Sequence, residues 1–228
     1  MFSAVCPYEA EGDIFAKLSV TALKKRSHIP EEQEAEELYQ AEEVVPLIPQ
    51  FRETQETLTG AARGTVYHTF MENLDFSKKE ALEIQLEELI SCGKMTREES
   101  RVLKIPDISR FLASDCGKRM ERAAAEGKLY REHPFVLGVP ASEIRGDWSP
   151  DELVLVQGII DAYFQEEDGT ISILDYKTDH VSHPQQLVER YRAQLDYYAL
   201  ALERLTGRKV KDRIIYSFHF GREILIPS

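Results

Sequence analysis

A chain of 228 residues, 43% of them hydrophobic, is long enough to bury one hydrophobic core of ordinary size. Its three cysteines, Cys6, Cys92 and Cys116, are widely scattered and form no C-x-x-C pair, which argues against a disulfide framework and against a zinc site. The formal net charge of −12 argues against unaided binding of nucleic acid, because such binding is driven by cations that neutralise phosphates.

The N-terminal part contains two segments of different character. Residues 13–26 predict a short strand or extended piece that enters a helix. Residues 27–60 are acidic and carry three prolines, which is typical of a linker, with one short helix over residues 31–42. We therefore interpret residues 1–60 as an N-terminal extension and acidic linker, and residues 61–228 as the core.

Helices dominate the next part of the chain. From residue 61 to about residue 74, apolar side chains recur at the spacing of one helix face. Further helices are predicted over residues 77–92, 96–104, 107–115 and 117–126. We interpret residues 77–127 as a helical insertion into the core.

The C-terminal part predicts mainly strands. Extended runs are predicted over residues 129–139, 153–166 and 171–177, with a turn-rich connection around residues 146–150. A long helix is predicted over residues 184–206, and a final hairpin over residues 212–219 and 222–227, turning at Gly221.

The run over residues 171–177 ends in a polar pair. Asp175 and Lys177 are separated by one residue, so on a strand both lie on the face shared with Ile171 and Ile173. A charged pair at the end of an apolar face is costly unless a metal, a partner or water satisfies it. Alone, a D-x-K triplet is more often a salt bridge or an exposed strand edge.

Asp161 on the preceding strand sets a geometric test. A two-residue turn between the strands would put Asp161 and Asp175 on opposite faces of the sheet. A three-residue loop over residues 167–169, with Gly169 in the left-handed conformation, places the two aspartates directly opposite each other. We predict this loop or an equivalent bulge, because only this register lets both carboxylates share a hard cation such as Mg²⁺.

The early helix carries a polar stripe. Gly64, His68 and Glu72 lie at i, i+4 and i+8 along one side of it. His68 could supply a nitrogen ligand, with Glu72 as the hydrogen-bond partner that orients the imidazole. The alternative is a surface histidine paired with a glutamate.

The long helix after the strands carries a second polar pair beside its apolar stripe. Gln194 lies four residues before Tyr198, so the two side chains are neighbours on the helix surface. Tyr198 is equally typical of plain core. In the functional interpretation, Gln194 and the Tyr198 hydroxyl reach a substrate phosphate or the carboxylates of the site.

Together these motifs form an ordered set. They are G-x-x-x-H-x-x-x-E from Gly64 to Glu72, G-I-I-D ending at Asp161, D-Y-K-T from Asp175 to Thr178, and Q-x-x-x-Y from Gln194 to Tyr198. The set resembles the PD-(D/E)XK nuclease superfamily, and more narrowly the C-terminal nuclease domain of AddA- and RecB-type helicase-nuclease subunits. The resemblance covers nearly the whole chain.

This resemblance implies a mixed α/β fold, in which helices flank a central mixed sheet in a restriction-endonuclease-like core with an N-terminal helical extension. The implied metal ligands are His68, Asp161, Asp175 and the backbone carbonyl of Tyr176. The implied catalytic residues are Asp161, Asp175 and Lys177, with Glu72, Gln194 and Tyr198 in supporting roles.

The resemblance also implies an activity and its partners. A nuclease of this kind uses Mg²⁺, or Mn²⁺ in its place, to cut single-stranded DNA during the resection of double-strand breaks and recombinational repair. Its partners would be an upstream helicase portion of the same polypeptide, where ATP would bind, and an AddB-like subunit. AddB-type relatives hold an iron–sulfur cluster with four cysteines, and no such cluster is expected from three ungrouped ones.

Charge and hydropathy complete these expectations. Basic residues cluster over residues 190–213, either as a solvated face or as a DNA contact, and an acidic nuclease is easier to understand if another module delivers its DNA. No apolar run predicts a membrane span or an export signal, so we expect a cytoplasmic protein. Two alternatives remain, namely a stand-alone nuclease of phage or repair type and a catalytically silent domain that walls a DNA channel or docks a partner.

Overall fold

The computed structural model describes residues 17–19, 60–144, 146 and 148–227. Its strands are β1 (Lys17–Ser19), β2 (Leu129–Pro140), β3 (Leu153–Gln165), β4 (Ile171–Lys177), β5 (Val210–Ser217) and β6 (Arg222–Leu225). Its α-helices are α1 (Gly60–Asn73), α2 (Leu82–Ser91), α3 (Arg97–Ser100), α4 (Ile105–Ala113), α5 (Asp115–Ala125), α6 (Ala141–Ile144) and α7 (Pro184–Thr206), and a 3-10 helix spans Phe76–Ala81. The helix predicted over residues 31–42 lies outside the described residues.

One mixed sheet is organised around β3. Along one edge β3 pairs antiparallel with β2, and along the other it pairs parallel with β1 and then antiparallel with β4. Next to β4 runs β5, parallel to it, and β6 closes the sheet antiparallel to β5. Because β4 and β5 are parallel, the segments after Lys177 and Ser217 leave the sheet at the same edge.

Two hydrophobic cores lie on the two faces of the sheet. Ile173 packs with Leu195 of α7 in the first core, whereas its neighbour Leu174 packs with Phe70 of α1 and Phe111 of α4 in the second. This division follows from the alternation of side chains along a strand. The predicted α/β fold with helices flanking a central mixed sheet is therefore confirmed.

Both ends of α7 agree with the sequence prediction, and local residues explain them. Pro184 opens the helix, where a missing N–H costs nothing, and Gln186 Oε1 accepts hydrogen bonds from the N–H groups of Ser182 and His183. Gly207 ends the helix with a φ of 67°, a left-handed conformation that glycine adopts readily.

The single helix predicted over residues 77–92 is wrong in its extent. A 3-10 helix precedes α2, and this 3-10 helix is itself kinked at Lys78. Asp75 caps the 3-10 helix by accepting from the Ser77 N–H, and the buried Gln85 amide donates to the Lys78 carbonyl. The side chain of Gln85 thus satisfies backbone groups that a continuous helix would pair internally.

One further predicted helix also differs from expectation. The predicted helix over residues 96–104 is a single turn, α3, closed by a capping box between Thr96 and Glu99.

Cys92 is exposed and Cys116 is buried, and both are free thiols. Among the helices of the described ranges, none combines the length and apolar character that a bilayer crossing requires.

A buried arginine joins α5 to the sheet at the end remote from Lys177. The Arg119 guanidinium donates to Glu166 Oε1 at 2.5 Å, to Ser172 Oγ at 2.8 Å and to Asp212 Oδ2 at 2.6 Å. Its side chain is 14% exposed, so the ion pairs are largely shielded from water. Removal of the arginine would leave two partly buried carboxylates without a counter-ion.

We predict that Arg119→Met lowers the free energy of unfolding by about 3 kcal/mol, which is the usual effect of breaking a buried ion pair from one side. Urea denaturation of the 228-residue chain measures this change. Arg122→Met is the control, because the Arg122 side chain is 64% exposed and its ion pair with Glu167 is long, at 3.9 Å. Equal midpoints for Arg119→Met and the wild type would contradict the prediction.

Candidate metal centre

The turn between β3 and β4 has the predicted odd length. The Glu166 N–H donates to the Thr170 carbonyl at 2.9 Å, which closes a loop of three residues, 167–169. Gly169 has a φ of 81°, in the left-handed region. The predicted three-residue loop is confirmed.

This turn sets the register of two acidic positions. The β3–β4 pairing runs as far as Ala162 opposite Leu174, so the next position places Asp161 opposite Asp175. Directly opposite residues of an antiparallel pair project from the same face of the sheet. The two aspartates therefore share one face, as the sequence predicted.

A third carboxylate joins this row from β2. Arg131 pairs with Ala162, so Glu132 lies opposite Asp161 on the other edge of β3. Among the described residues, Glu132 is also the one non-glycine residue with a positive φ, at 44°. Such backbone conformations are unfavourable for a residue with a Cβ and occur most often at functional sites.

His68 approaches this row from α1. Its Nε2 lies 3.0 Å from the carbonyl oxygen of Tyr176, and its Nδ1 lies 3.6 Å from Oδ2 of Asp161. The same Asp161 oxygen accepts the Tyr176 N–H at 2.9 Å. His68, Glu132 and Asp161 each offer a ligand atom, and these atoms lie within 4.8 Å of one another.

The donor atoms of this triad fit a divalent cation. A carbonyl oxygen can only accept, so Nε2 of His68 carries the hydrogen that points at Tyr176. In the neutral ring Nδ1 then has a lone pair, and it faces the Asp161 carboxylate across 3.6 Å. Two facing acceptors repel unless a proton or a cation lies between them, and one nitrogen with several oxygens is a common ligand set for a divalent ion.

Asp175 and Lys177 form an ion pair beside the triad. Asp175 is completely buried, and its Oδ2 lies 2.5 Å from Nζ of Lys177. Apart from that ion pair, Oδ2 has no hydrogen-bond partner among the described residues. The Lys177 ammonium also lies 4.4 Å from the centre of the Tyr191 ring, in a cation–π contact.

Desolvation shapes the charges of the site. Burial raises the pKa of Asp175 above its ordinary range, the nearby Asp161 charge adds to the rise, and Lys177 opposes it. Burial, together with the Asp161 charge, raises the pKa of Glu132 to about 6. For Lys177 burial acts to lower the pKa, but the charges of Asp175 and Asp161 outweigh it and raise the pKa, so the lysine stays protonated.

Gln194 and Tyr198 lie against this ion pair. The Gln194 amide nitrogen is 3.1 Å from Oδ1 of Asp175 and 2.7 Å from the Tyr198 hydroxyl. Of the two alternatives left open by the sequence, the structure brings Gln194 to a carboxylate of the site. Tyr198 is also core, because its ring packs edge-on against Phe135.

Glu72 does not occupy its predicted place. We expected it to orient His68, but the ring nitrogens of His68 face the Tyr176 carbonyl and Asp161. Glu72 is exposed, and its backbone carbonyl accepts from Arg131. Glu72 and His68 lie one helical turn apart, but the His68 ring contacts the Tyr176 carbonyl at the end of β4 instead.

Most basic side chains of the cluster over residues 190–213 form structural contacts. Six of its seven arginines and lysines pair with carboxylates or backbone carbonyls: Arg190 with Asp179, Arg192 with Pro227, Arg204 with Gly138, Arg208 with Gly169, Lys211 with Asp168 and Arg213 with Asp196. These contacts favour the interpretation of a solvated face over that of a DNA contact.

Sequence comparison agrees with this geometry. Residues 31–222 match the PD-(D/E)XK nuclease superfamily, and the chain therefore belongs to that superfamily. Members of it use divalent metal ions, which the triad of His68, Glu132 and Asp161 could bind.

Curated relatives are AddA subunits of ATP-dependent helicase/nucleases. The chain is 38% identical over 225 residues to the AddA subunit of Acetivibrio thermocellus, a match that covers 95% of this chain and 17% of that protein. It is 37% identical over 226 residues to the AddA subunit of Clostridium botulinum strain 657, covering 96% and 17%. The Clostridium beijerinckii relative is 38% identical over 229 residues, covering 96% and 18%. The chain thus spans less than a fifth of the length of these relatives.

We predict that Glu132→Gln stabilises the ion-free protein above pH 6 and abolishes its stabilisation by Mg²⁺. A carboxyl with a raised folded-state pKa contributes stability that is fully present below its ordinary pKa of 4.5 and lost as pH rises through about 6. Glutamine stays neutral, so the variant keeps that stability. A divalent ion needs the ionised carboxylate, so it stabilises the wild type increasingly over the same pH interval.

Thermal unfolding with EDTA and with Mg²⁺ measures both effects. In EDTA the variant should melt about 2 °C or more above the wild type at pH 8, and at the same temperature at pH 4.5. Glu143→Gln, which changes an exposed glutamate on α6, is the control. The interpretation fails if Mg²⁺ raises the melting temperature of Glu132→Gln as much as that of the wild type.

Proposed function

We propose that this chain is a Mg²⁺-dependent deoxyribonuclease that hydrolyses phosphodiester bonds, with Mn²⁺ able to replace Mg²⁺. The observation that carries the proposal is the row of carboxylates from Glu132 through Asp161 to Asp175, with His68 on one side and Lys177 on the other. A site with several oxygen ligands, one nitrogen ligand and an adjacent buried ammonium suits reactions at phosphate esters.

Each residue of the row has a role in this proposal. His68, Glu132 and Asp161 hold the ion, and Asp175 and the Tyr176 carbonyl complete its ligands. When bound, the ion polarises the phosphodiester and makes a nearby water a stronger nucleophile. The completely buried carboxylate of Asp175 attracts the cation strongly, because bulk water does not screen it.

Lys177 acts on the reacting phosphate. Its ammonium is held by Asp175 and rests on the Tyr191 ring, so it stays charged and fixed in place. Water attacks phosphorus, the bond from phosphorus to the leaving oxygen breaks, and negative charge accumulates on the phosphate oxygens. A fixed ammonium at that point stabilises the charge without reorganisation.

Gln194 and Tyr198 serve as positioning residues. The Gln194 amide contacts both Asp175 and the Tyr198 hydroxyl, so it fixes the orientation of the buried Asp175 carboxylate. Such partners preserve the geometry of the charged groups that do the chemistry.

We further propose that the chain is the nuclease portion of an AddA-type helicase–nuclease that works as an exonuclease in double-strand-break resection in the cytoplasm. The AddA relatives support this, because this chain matches one portion of each of them. In the proposal ATP binds the helicase portion, an AddB-like subunit is the partner, and single-stranded DNA is the substrate. The complete set of ligands and the lysine argue against a catalytically silent domain.

The central prediction concerns cleavage of single-stranded DNA in Mg²⁺. Asp175→Asn and Lys177→Met should each lower the cleavage rate by about 100-fold or more, because each removes a charge on which the site depends. The assay follows a labelled oligonucleotide on a denaturing gel, with EDTA and Mn²⁺ lanes beside Mg²⁺.

The controls are Asp151→Asn and Lys118→Gln, which change the same residue types at exposed positions. Both should cleave at the wild-type rate. Cleavage by Asp175→Asn and Lys177→Met at that same rate would mean that a contaminant cuts the DNA, and the proposal would then be without support.

A further inference from the structure

A cluster of basic and aromatic side chains lies at the edge of the sheet where β4 and β5 end. Arg63 comes from the first turn of α1, His180 from the segment after β4, and His219 and Phe220 from the turn after β5. Lys104, next to the start of α4, completes the cluster. We call these five residues the basic–aromatic surface.

The rings of this surface stand in a row. The His180 and His219 ring centres are 4.5 Å apart, and those of His219 and Phe220 are 4.8 Å apart, each pair tilted by nearly 60°. His180 and His219 are exposed, and Phe220 is half-buried against the core. Unpaired bases stack on exposed aromatic rings that are arranged in this way.

Two cationic side chains, Arg63 and Lys104, lie beside these rings. The Arg63 guanidinium donates to Nε2 of His180 at 2.5 Å. Within the part of the chain that the structure describes, no carboxylate forms an ion pair with Arg63 or Lys104. Slight burial, together with the charges of His219, Arg63 and Lys104, lowers the pKa of His180, so these cations disfavour a further positive charge.

Acidic groups nearby are already engaged. Asp179 accepts from Arg190 and from the Tyr191 hydroxyl. Asp107 accepts from the Tyr67 hydroxyl and pairs with Arg110. The clustered cations repel one another, and a bound anion would relieve that repulsion.

The surface adjoins the metal centre. His180 follows Lys177 by three residues, and Arg63 precedes His68 by five residues on α1, a rise of about 7.5 Å. A strand whose reacting phosphate lies at the metal centre would reach Arg63 about two nucleotides away.

We propose that the basic–aromatic surface binds the single-stranded DNA that flanks the cut phosphate, with Arg63 and Lys104 on phosphates and the rings of His180 and His219 against bases. This inference rests on the proposed nuclease function, which it extends from the reacting bond to the bound strand. Duplex DNA is a poorer fit, because its bases are paired and stacked and leave the rings without a partner.

The test measures binding separately from cleavage. A fluorescein-labelled oligothymidylate of about 12 nucleotides is titrated with the full 228-residue chain in EDTA, where no cleavage occurs, and anisotropy is followed at several salt concentrations. Arg63→Gln should weaken binding severalfold and lower the slope of log K against log salt by about 0.7, the value for one lost phosphate contact. His219→Ala should weaken binding about fivefold or more with the slope unchanged, because stacking releases no counter-ions.

Arg122→Gln is the matched control, since it removes one exposed arginine near the β3–β4 turn, at the opposite end of β4. It should bind like the wild type. The thermal stability of each variant is first compared with that of the wild type. Because His219 is exposed, His219→Ala alone tests the proposal if Arg63→Gln is destabilised. Equal affinities for His219→Ala and Arg122→Gln, tighter binding of duplex than of single strand, or no binding at all would each overturn the proposal.

Cleavage of the same oligonucleotide in Mg²⁺ separates this proposal from the nuclease proposal. A wild type that binds through Arg63 and His219 but does not cut refutes the nuclease and retains the surface. A wild type that cuts in an Asp175-dependent manner, while Arg63→Gln and His219→Ala bind and cut like Arg122→Gln, refutes the surface alone.

Discussion

The register of β3 is the constraint on which the site depends. Its neighbours place Glu132 on one side of Asp161 and Asp175 on the other, so three carboxylates form a row across three strands. The three-residue turn with Gly169 in the left-handed conformation holds that register on the β4 side. A shift of one residue would turn one aspartate to the opposite face, into the core beneath α1, where a carboxylate would have neither a metal nor water. The hydrogen bonds that form the sheet therefore also place the candidate ligands.

The row of carboxylates needs nearby positive charge to offset the repulsion between its members. Lys177 offsets part of the charge of the completely buried Asp175, and the lone pairs of His68 Nδ1 and Asp161 face each other with space for a cation. Glu132 combines a strained backbone with a carboxyl whose pKa is raised by burial, so its ionised form is unfavourable without a nearby cation. A divalent ion bound there would relieve the repulsion, so the groups that weaken the ion-free protein would give the ion its affinity. In our proposal, the cations of the basic–aromatic surface bind the polyanion that the site would cut.

The sequence predicted what local patterns determine. Turn length and strand alternation were enough to place Asp161 opposite Asp175. The sequence pattern over residues 184–206 was enough to predict α7 with both of its ends. Glu132 could not be found in this way, because the twelve residues that join β2 to β3, 141–152, leave the register of that pair undetermined. Glu72 was misplaced for a related reason: helical spacing identifies neighbours on α1, but the Tyr176 carbonyl comes from a strand more than a hundred residues away. The basic–aromatic surface likewise joins residues from separate loops, whereas the basic run visible in the sequence forms structural contacts.

Anomalous X-ray scattering from crystals grown with Mn²⁺ would locate an ion at the proposed metal centre without reference to activity. The account predicts an anomalous peak bounded by His68, Glu132 and Asp161, with Asp175 on its far side from Glu132. Mn²⁺ bound elsewhere on the protein, with no peak among these side chains at saturating ion, would contradict it.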